Sequence, residues 1–328
     1  MRALVTGGAG YVGSVVVEEL LAAGADKVVV LDDLSKGHAA AVVAPAELVR
    51  GDIGDAALVT ALCRAQRIEV VVHMAARSLV GESVANPAIY YDVNLVRGLR
   101  LLDAMLAAGV TRIVFSSTAA VYGEPAVSPI GEEVATEPRS PYGDSKLAFE
   151  RALTWYQKAY GLRWASLRYF NAAGATEANG EQHDPETHLV PNVLAVARGA
   201  APSVPVFGDD YPTPDGTCIR DYIHISDLAR AHVLAIPALD RIGGRVYNLG
   251  CGGGHSVAQV IAAAREVTGH AIPTGVAPRR AGDPAVLVAS SDRIRRELGW
   301  EPAHPDLRDI LASAWSWLRA HPDGYRDG

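Results

Sequence analysis

Cysteine is scarce in this chain: Cys63, Cys218 and Cys251 are the three found in 328 residues. Their number is odd, none sits in a Cys-x-x-Cys pair, and their spacings match no metal motif, which argues against a disulfide framework and fits a reducing compartment. Positive charge is also in deficit. Thirty Lys and Arg face 37 Asp and Glu, a formal net charge of −7, whereas a nucleic-acid binder normally presents a basic face. No apolar run approaches the roughly 20 residues that span a bilayer. The apolar start Met1–Thr6 stops at Gly7, too early for the core of a signal peptide. The expectation is a cytoplasmic chain with no nucleic-acid and no membrane partner. Hydrophobic residues at 49% and charged residues at 20% exclude a disordered chain and supply a substantial core.

What is present is an alternation of two periods. Short apolar runs predict strands at Ala3–Thr6, Lys27–Leu31, Glu47–Arg50, Glu69–His73, Thr111–Ser116 and Arg163–Tyr169. Between them the pattern predicts helices at Tyr11–Ala23, Ala56–Gln66, Tyr90–Ala108 and Tyr142–Tyr160. Strands that are apolar throughout, separated by helices, indicate a parallel sheet covered on both faces, a doubly wound α/β fold of Rossmann type. After Asn171 the regularity breaks: residues 172–187 and 199–217 are rich in Gly, Pro, Asn and Asp and read as loops. Helices follow near Ser226–Ile236, Ser256–Thr268, Ser291–Leu298 and Asp306–Ala320, with a strand at Arg245–Leu249. The expected division is a nucleotide-binding domain over 1–171, to which part of 218–250 returns, and a smaller C-terminal α/β lobe over 172–328.

Gly7-x-x-Gly10-x-x-Gly13 lies between the first strand and the first helix. That spacing lets the backbone turn sharply and approach a pyrophosphate, which meets the amide donors and positive dipole end of the helix. Asp32 ends the second strand, 19 residues past Gly13. A carboxylate there accepts hydrogen bonds from ribose hydroxyls and repels a 2′-phosphate, so NAD is favoured over NADP. The plainer reading of Asp32-Asp33 is a helix cap. Asp52-Ile53 ends the third strand, where adenine contacts fall.

Tyr142 and Lys146 stand four residues apart on a helix opened by Pro141, so they share one face. A tyrosine ordinarily titrates near 10, and lowering it towards 7 takes roughly 4 kcal/mol. That is a large demand on one lysine, and a positively charged nicotinamide brings it within reach. Ser116, Ser117 and Thr118 follow the fifth strand and emerge at the sheet edge where open α/β folds bind ligands. Thr118 is placed to share a substrate hydroxyl with Tyr142.

These stretches, with Val-Gly-Glu-Ser-Val at 80–84, Leu-Arg-Tyr-Phe-Asn at 167–171, Arg-Asp-Tyr-Ile-His at 220–224 and Arg-Arg-x-Gly-Asp at 279–283, resemble the extended short-chain dehydrogenase/reductase family. Within it they are most similar to the epimerases that invert C4 of a UDP-hexose, and the likeness covers nearly the whole chain. The Tyr-x-x-x-Lys pair is common to the superfamily; the later motifs are the specific ones. The resemblance implies that Tyr11, Val12, Asp32, Asp33, Leu34, Ser35, Gly37, Asp52, Ile53, Met74, Ala75, Ala76, Arg77, Asn94, Ser116, Thr118, Tyr142, Lys146, Tyr169 and Phe170 line an NAD site. It implies that Asn171, Leu189, Phe207, Arg220, Tyr222, Arg280 and Asp283, with Thr118 and Tyr142, hold a UDP-sugar. Guanidinium forks suit a diphosphate, although Arg280 has an alternative as a surface partner of Asp283. No metal ligand is implied, and His73 and His224 read as structural. Relatives commonly dimerise through two helices, here Tyr90–Ala108 and Tyr142–Tyr160, so a homodimer is expected.

Two departures stand out. Where the epimerases often carry a cofactor-contacting lysine, this chain has Ser78, with Arg77 just before it. Leu287 occupies the position where tyrosine accompanies restriction to glucose and galactose, and a small residue accompanies acceptance of N-acetyl sugars. A 4,6-dehydratase on the same scaffold needs an acid/base pair after the threonine, and Ala119-Ala120 cannot provide it. Epimerases of UDP-N-acetylhexosamines, UDP-uronates or UDP-pentoses stay open as alternatives. So, more remotely, does a non-catalytic NAD(H)-binding protein.

Overall fold

The computed structural model describes residues 1–280 and 283–326; Ala281 and Gly282 of the Arg-Arg-x-Gly-Asp motif lie outside the described residues. The first half runs β1 (Arg2–Thr6), α1 (Tyr11–Ala22), β2 (Lys27–Asp32), β3 (Glu47–Arg50), α2 (Ala56–Ala65), β4 (Val70–His73), α3 (Val80–Ala85) and α4 (Pro87–Tyr91). A π-helical turn at Asp92–Val96 leads into α5 (Arg97–Ala107), β5 (Arg112–Thr118), α6 (Pro141–Tyr160) and β6 (Arg163–Tyr169). The remainder is β7 (Asn171–Ala173), α7 (Leu189–Ala197), β8 (Val204–Phe207), β9 (Ile219–Arg220), β10 (Tyr222–His224), α8 (Ile225–Ile242) and β11 (Gly244–Leu249). It ends with β12 (His255–Ser256), α9 (Val257–Thr268), β13 (Thr274–Ala277), β14 (Val286–Leu287), α10 (Asp292–Leu298) and α11 (Leu307–Ala320).

Seven strands form one parallel sheet in the order β11-β6-β5-β4-β1-β2-β3. The chain winds one way from β1 to β3 and the other way from β4 onward, so a crevice opens beyond the carboxyl ends of β1 and β4, where such sheets bind ligands. Both faces are covered, which is why Val28–Leu31 and Val70–Val72 are apolar without alternation and buried. Val15, Val16 and Leu20 of α1 and Leu228, Ala235 and Leu239 of α8 pack on one face. Val59 of α2, Leu101 and Met105 of α5, and Phe149 and Leu153 of α6 pack on the other. A separate core joins α7, α9 and α11 through Val193, Ala264 and Leu311.

The first-half strands and helices lie within one or two residues of their sequence expectations. Three differences have physical causes. The expected helix Tyr90–Ala108 is broken by the π turn, a device that re-aims side chains near functional sites; here it turns Asn94 inward. Helix α8 continues past Ile236 despite Pro237, because Ala238, Leu239 and Ile242 are buried in the core beyond it. The segments read as loops contain β8 and most of β7, which are too short to show a period.

The short strands nonetheless carry the site. Pairing of β10 with β7 sets Tyr222 beside Asn171, and pairing of β14 with β9 sets Leu287 beside Arg220. Between them, buried Asp221 accepts hydrogen bonds from the amides of Cys251 (2.7 Å), Gly252 (2.9 Å) and Ala289 (3.0 Å). Helix α6 is fixed by a buried ion pair of Glu150 with Arg168 on β6, while Ser166 donates to Glu150 at 2.8 Å and Arg168 donates to the Tyr122 hydroxyl at 2.8 Å. Among the described residues no helix is long and apolar enough to cross a membrane.

Candidate active site

The turn after β1 is held by contacts that only glycine permits. Gly7 has φ of +71°, and a Cβ there would meet the backbone of Ala75 at 2.5 Å. A Cβ on Gly13 would lie 2.1 Å from the carbonyl oxygen of Gly7, so helix α1 packs directly on the turn. Gly10 differs: its nearest such contact is 3.4 Å, and it faces a cavity. The first amides of α1 lack partners in their own helix, and no side chain caps them. This bare helix end, set in a concavity, fits the diphosphate of a dinucleotide.

Asp32 stands on the same wall. One carboxylate oxygen accepts from Ala9 N–H at 3.0 Å and the other from Leu34 N–H at 2.9 Å. Burial raises its pKa against those two bonds. Each oxygen keeps a second lone pair, so a ribose diol can still be held. Gly37 brings the following loop against Ala9, where a Cβ would sit 2.8 Å from the Ala9 carbonyl carbon.

The catalytic candidates converge from β5 and α6. Ser140 caps α6 by accepting from Gly143 N–H at 3.2 Å, with Pro141 at the first helical position, a favoured start for a helix. Gly143 packs against the turn after β5, where a Cβ would be 2.6 Å from the Ala120 carbonyl oxygen. That approach brings Tyr142 beside Thr118, whose hydroxyl favours the ionised form of the phenol. Thr118 also accepts from Ala120 N–H at 3.1 Å. Lys146 is buried, donates to the Ser116 carbonyl at 2.8 Å and sits 4.8 Å from the centre of the Phe115 ring.

The expectation that Lys146 lowers the tyrosine pKa needs correction. Burial holds Tyr142 above its ordinary value, with only Thr118 working against it. Burial likewise pushes Lys146 down to about 7, although Glu150 acts the other way. A lysine titrating there carries only about half a charge at neutrality, and its ammonium is turned to Ser116. Among the protein groups, Thr118 alone works against the burial of the phenol.

One cavity of about 540 Å³ joins these parts. Of the sequence candidates it is lined by Gly7, Gly10, Tyr11, Val12, Gly13, Asp32, Asp33, Ser35, Gly37, Asp52, Ile53, Met74, Ala75, Ala76 and Arg77. Ser116, Thr118, Tyr142, Lys146, Tyr169, Phe170, Asn171, Leu189, Arg220 and Tyr222 complete that set, and Ser78 and Leu287 line it too. Five candidates stand off it. Leu34 lends its amide to Asp32. Asn94 accepts from Arg77 N–H at 2.8 Å and donates to the Arg77 carbonyl at 3.0 Å and to Ser145 at 3.1 Å, so it positions the wall. Asp283 pairs with Arg220, while Arg280 stacks on Phe207 at 4.1 Å. The surface pairing considered for Arg280 with Asp283 thus gives way to Arg220–Asp283. Arg77 lines the cavity next to Ser78 and lies 3.8 Å from Glu82.

Supporting histidines are neutral and structural. Burial pushes His73 down to about 3, and it bonds Thr6 at 2.8 Å. His224 caps α8 and contacts Ser313 at 3.0 Å. His232 uses Nδ1 on the Leu228 carbonyl, which leaves Nε2 to accept from the Tyr169 hydroxyl. Sequence reasoning missed Arg97, which pairs with Asp52, and Glu181, His183 and His188 on the cavity wall, whereas Lys36, inside the stretch 32–37 expected at the NAD site, does line it. The run from 181 to 188 has no period, so nothing in it distinguished a wall from a loop.

Comparison with known proteins bears on this geometry. The profile of the NAD dependent epimerase/dehydratase family matches residues 3–250. The chain is 54% identical to a UDP-glucose 4-epimerase of Corynebacterium glutamicum over 323 residues, 98% of this chain and 97% of that one. The crystal structure of UDP-glucose 4-epimerase from Brucella ovis in complex with NAD superposes with a TM-score of 0.93 at 44% identity, over 96% of this chain and 97% of that one. That of the Bifidobacterium longum enzyme in complex with NAD+ and UDP gives 0.94 at 40% identity, over 99% and 100%.

Proposed function

The chain belongs to the NAD dependent epimerase/dehydratase family, and on that premise we propose that it interconverts UDP-glucose and UDP-galactose by inverting C4 of the hexose. The observation that carries the reading is a single cavity with a bare helix end and Asp32 at one side, Tyr142 with Thr118 in its floor, and Arg220 at the other. The glycine turn and Asp32 hold the diphosphate and adenosine ribose of NAD. NAD held there would supply a reversible acceptor for the C4 hydrogen and its electron pair.

Tyr142 accepts the proton of the 4-hydroxyl and later returns it, and Thr118 shares that oxygen. Lys146 braces the wall at Ser116 and orients the nicotinamide ribose. Arg220, held by Asp283, and Arg280, stacked on Phe207, grip the diphosphate. The 4-keto sugar turns about its bond to that diphosphate and presents its other face. A firm hold on the nucleotide with a loose one on the sugar puts binding energy away from the reacting carbon. Incubation with UDP-galactose tests this: the product is UDP-glucose of unchanged mass, whereas loss of water or carbon dioxide would overturn it.

Leu287 favours a second arm. It lines the cavity beside Arg220 and is smaller than tyrosine, so turnover of UDP-N-acetylgalactosamine is expected alongside UDP-galactose. The homodimer joins α6 to the helices before β5. Trp155 and Tyr160 on α6 are 66% and 60% exposed, an apolar pair suited to a partner. Residues 1–171 with α8 and β11 form the NAD domain, and the rest of 172–328 supplies most of the sugar lobe. Three free cysteines fit work in the cytoplasm.

A further inference from the structure

Four side chains outside the catalytic group converge on one point of the cavity wall. Glu181, His183, Glu186 and His188 lie between β7 and α7, and each offers a ligand atom within 4.8 Å of the others. His188 Nδ1 is 2.9 Å from an oxygen of Glu181 and 2.9 Å from one of Glu186. His183 Nδ1 is 3.4 and 3.5 Å from the same two carboxylates. A tetrahedral ion with arms of about 2.0–2.1 Å spaces its ligand atoms about 3.3 Å apart, so these separations approximate the edges of such a polyhedron.

The chemistry fits as well as the spacing. Two imidazoles with two carboxylates are a donor set for zinc and similar first-row divalent ions. A doubly charged ion also neutralises the two carboxylates. His183 Nδ1 is buried and makes no hydrogen bond, although both carboxylates are near. Glu186 is oriented by the amides of Thr187 and His188, each donating at 2.8 Å to Oε1, which leaves Oε2 towards His183. An entry path exists: His188 is 41% exposed, and a second cavity of about 280 Å³ opens on the far side of Glu181, His183 and Glu186.

We propose that Glu181, His183, Glu186 and His188 bind one divalent transition-metal ion of the zinc class, fastening the segment 181–188 to the cofactor-side wall. That wall is already in contact: Lys36 donates to the Asp184 carbonyl at 2.5 Å, and Tyr11 meets the His183 ring edge-on at 6.2 Å. The site is independent of the sugar chemistry and survives if that reading fails.

The test loads chelator-stripped full-length protein with cobalt(II) or zinc(II). One ion per chain is expected by elemental analysis, with the intense visible bands of four-coordinate cobalt. The His183→Ala/His188→Ala double variant should lose more than the 10–100-fold in affinity that removal of an outer-shell partner costs. Glu186→Gln keeps an acceptor for the two amides and so preserves the loop; it should weaken binding while leaving the circular dichroism unchanged. Uptake by wild type no tighter than by the double variant, or a six-coordinate cobalt spectrum, would overturn the proposal.

Discussion

At the scale of single residues the account turns on two buried groups held away from their ordinary pKa values. Tyr142→Phe removes the one oxygen able to carry the 4-hydroxyl proton, and general acid–base groups contribute about 10²–10⁴-fold. Turnover of UDP-galactose should fall by at least that much, while UDP affinity by calorimetry stays within about threefold of wild type. Lys146 makes a thermodynamic prediction. Its folded-state pKa is about 7 against an ordinary 10.5, so between those values the unfolded chain binds more protons and stability rises with pH. Above about pH 10.5 the effect is gone, and below pH 7 the folded protein bears it in full, up to about 5 kcal/mol at roughly 1.4 kcal/mol per pKa unit. Lys146→Met should therefore be the more stable protein in denaturant titrations below pH 7, with its advantage fading towards pH 10; a constant difference across that range contradicts the assignment. The identities of Tyr142, Lys146 and Thr118 were legible from spacing and from their place after β5. That burial outweighs other influences on the phenol was not, because desolvation depends on what surrounds the side chain.

At the scale of elements, the turn between β1 and α1 separates packing from binding. Gly13→Ala drives a methyl into the Gly7 carbonyl at 2.1 Å, and backbone cannot step aside as a flexible side chain could. It should cost about 1–3 kcal/mol, as overpacking does, and abolish NAD retention. Gly10→Ala meets nothing closer than 3.4 Å. It should leave the melting temperature nearly unchanged while its methyl occupies diphosphate space and weakens NAD binding at least tenfold, read by fluorescence titration. Equal effects of the two substitutions on stability would refute the distinction. The parallel sheet was readable because β1 to β6 are apolar runs bounded by helices of clear period. The strands that seat Arg220, Tyr222 and Leu287 were not, since β9, β10 and β14 are two or three residues long and owe their existence to partners distant in the chain. The π turn at Asp92–Val96 was hidden for a similar reason: an inserted residue shifts the period without breaking it.

At the scale of the whole molecule, two cores share one cavity. The sheet supplies the cofactor-side wall, and the short strands after β6 supply the sugar side, so both must be in register for Arg220 to face Tyr142. The exposed Trp155 and Tyr160 face outward from α6, the same helix that carries Tyr142 at its other end. Trp155→Glu/Tyr160→Ser should convert a dimer to a monomer in light scattering, and an unchanged mass would place the interface elsewhere. Because α6 is also anchored through Glu150 and Arg168, the monomer should retain its fold by circular dichroism. The central claim is that hydrogen leaves C4 with its electron pair and comes back to the same carbon, on the opposite face. UDP-galactose carrying deuterium at C4, converted in ordinary water and followed by NMR, tests this directly: the account predicts UDP-glucose that keeps its deuterium at C4, and replacement of that label by solvent hydrogen would contradict it.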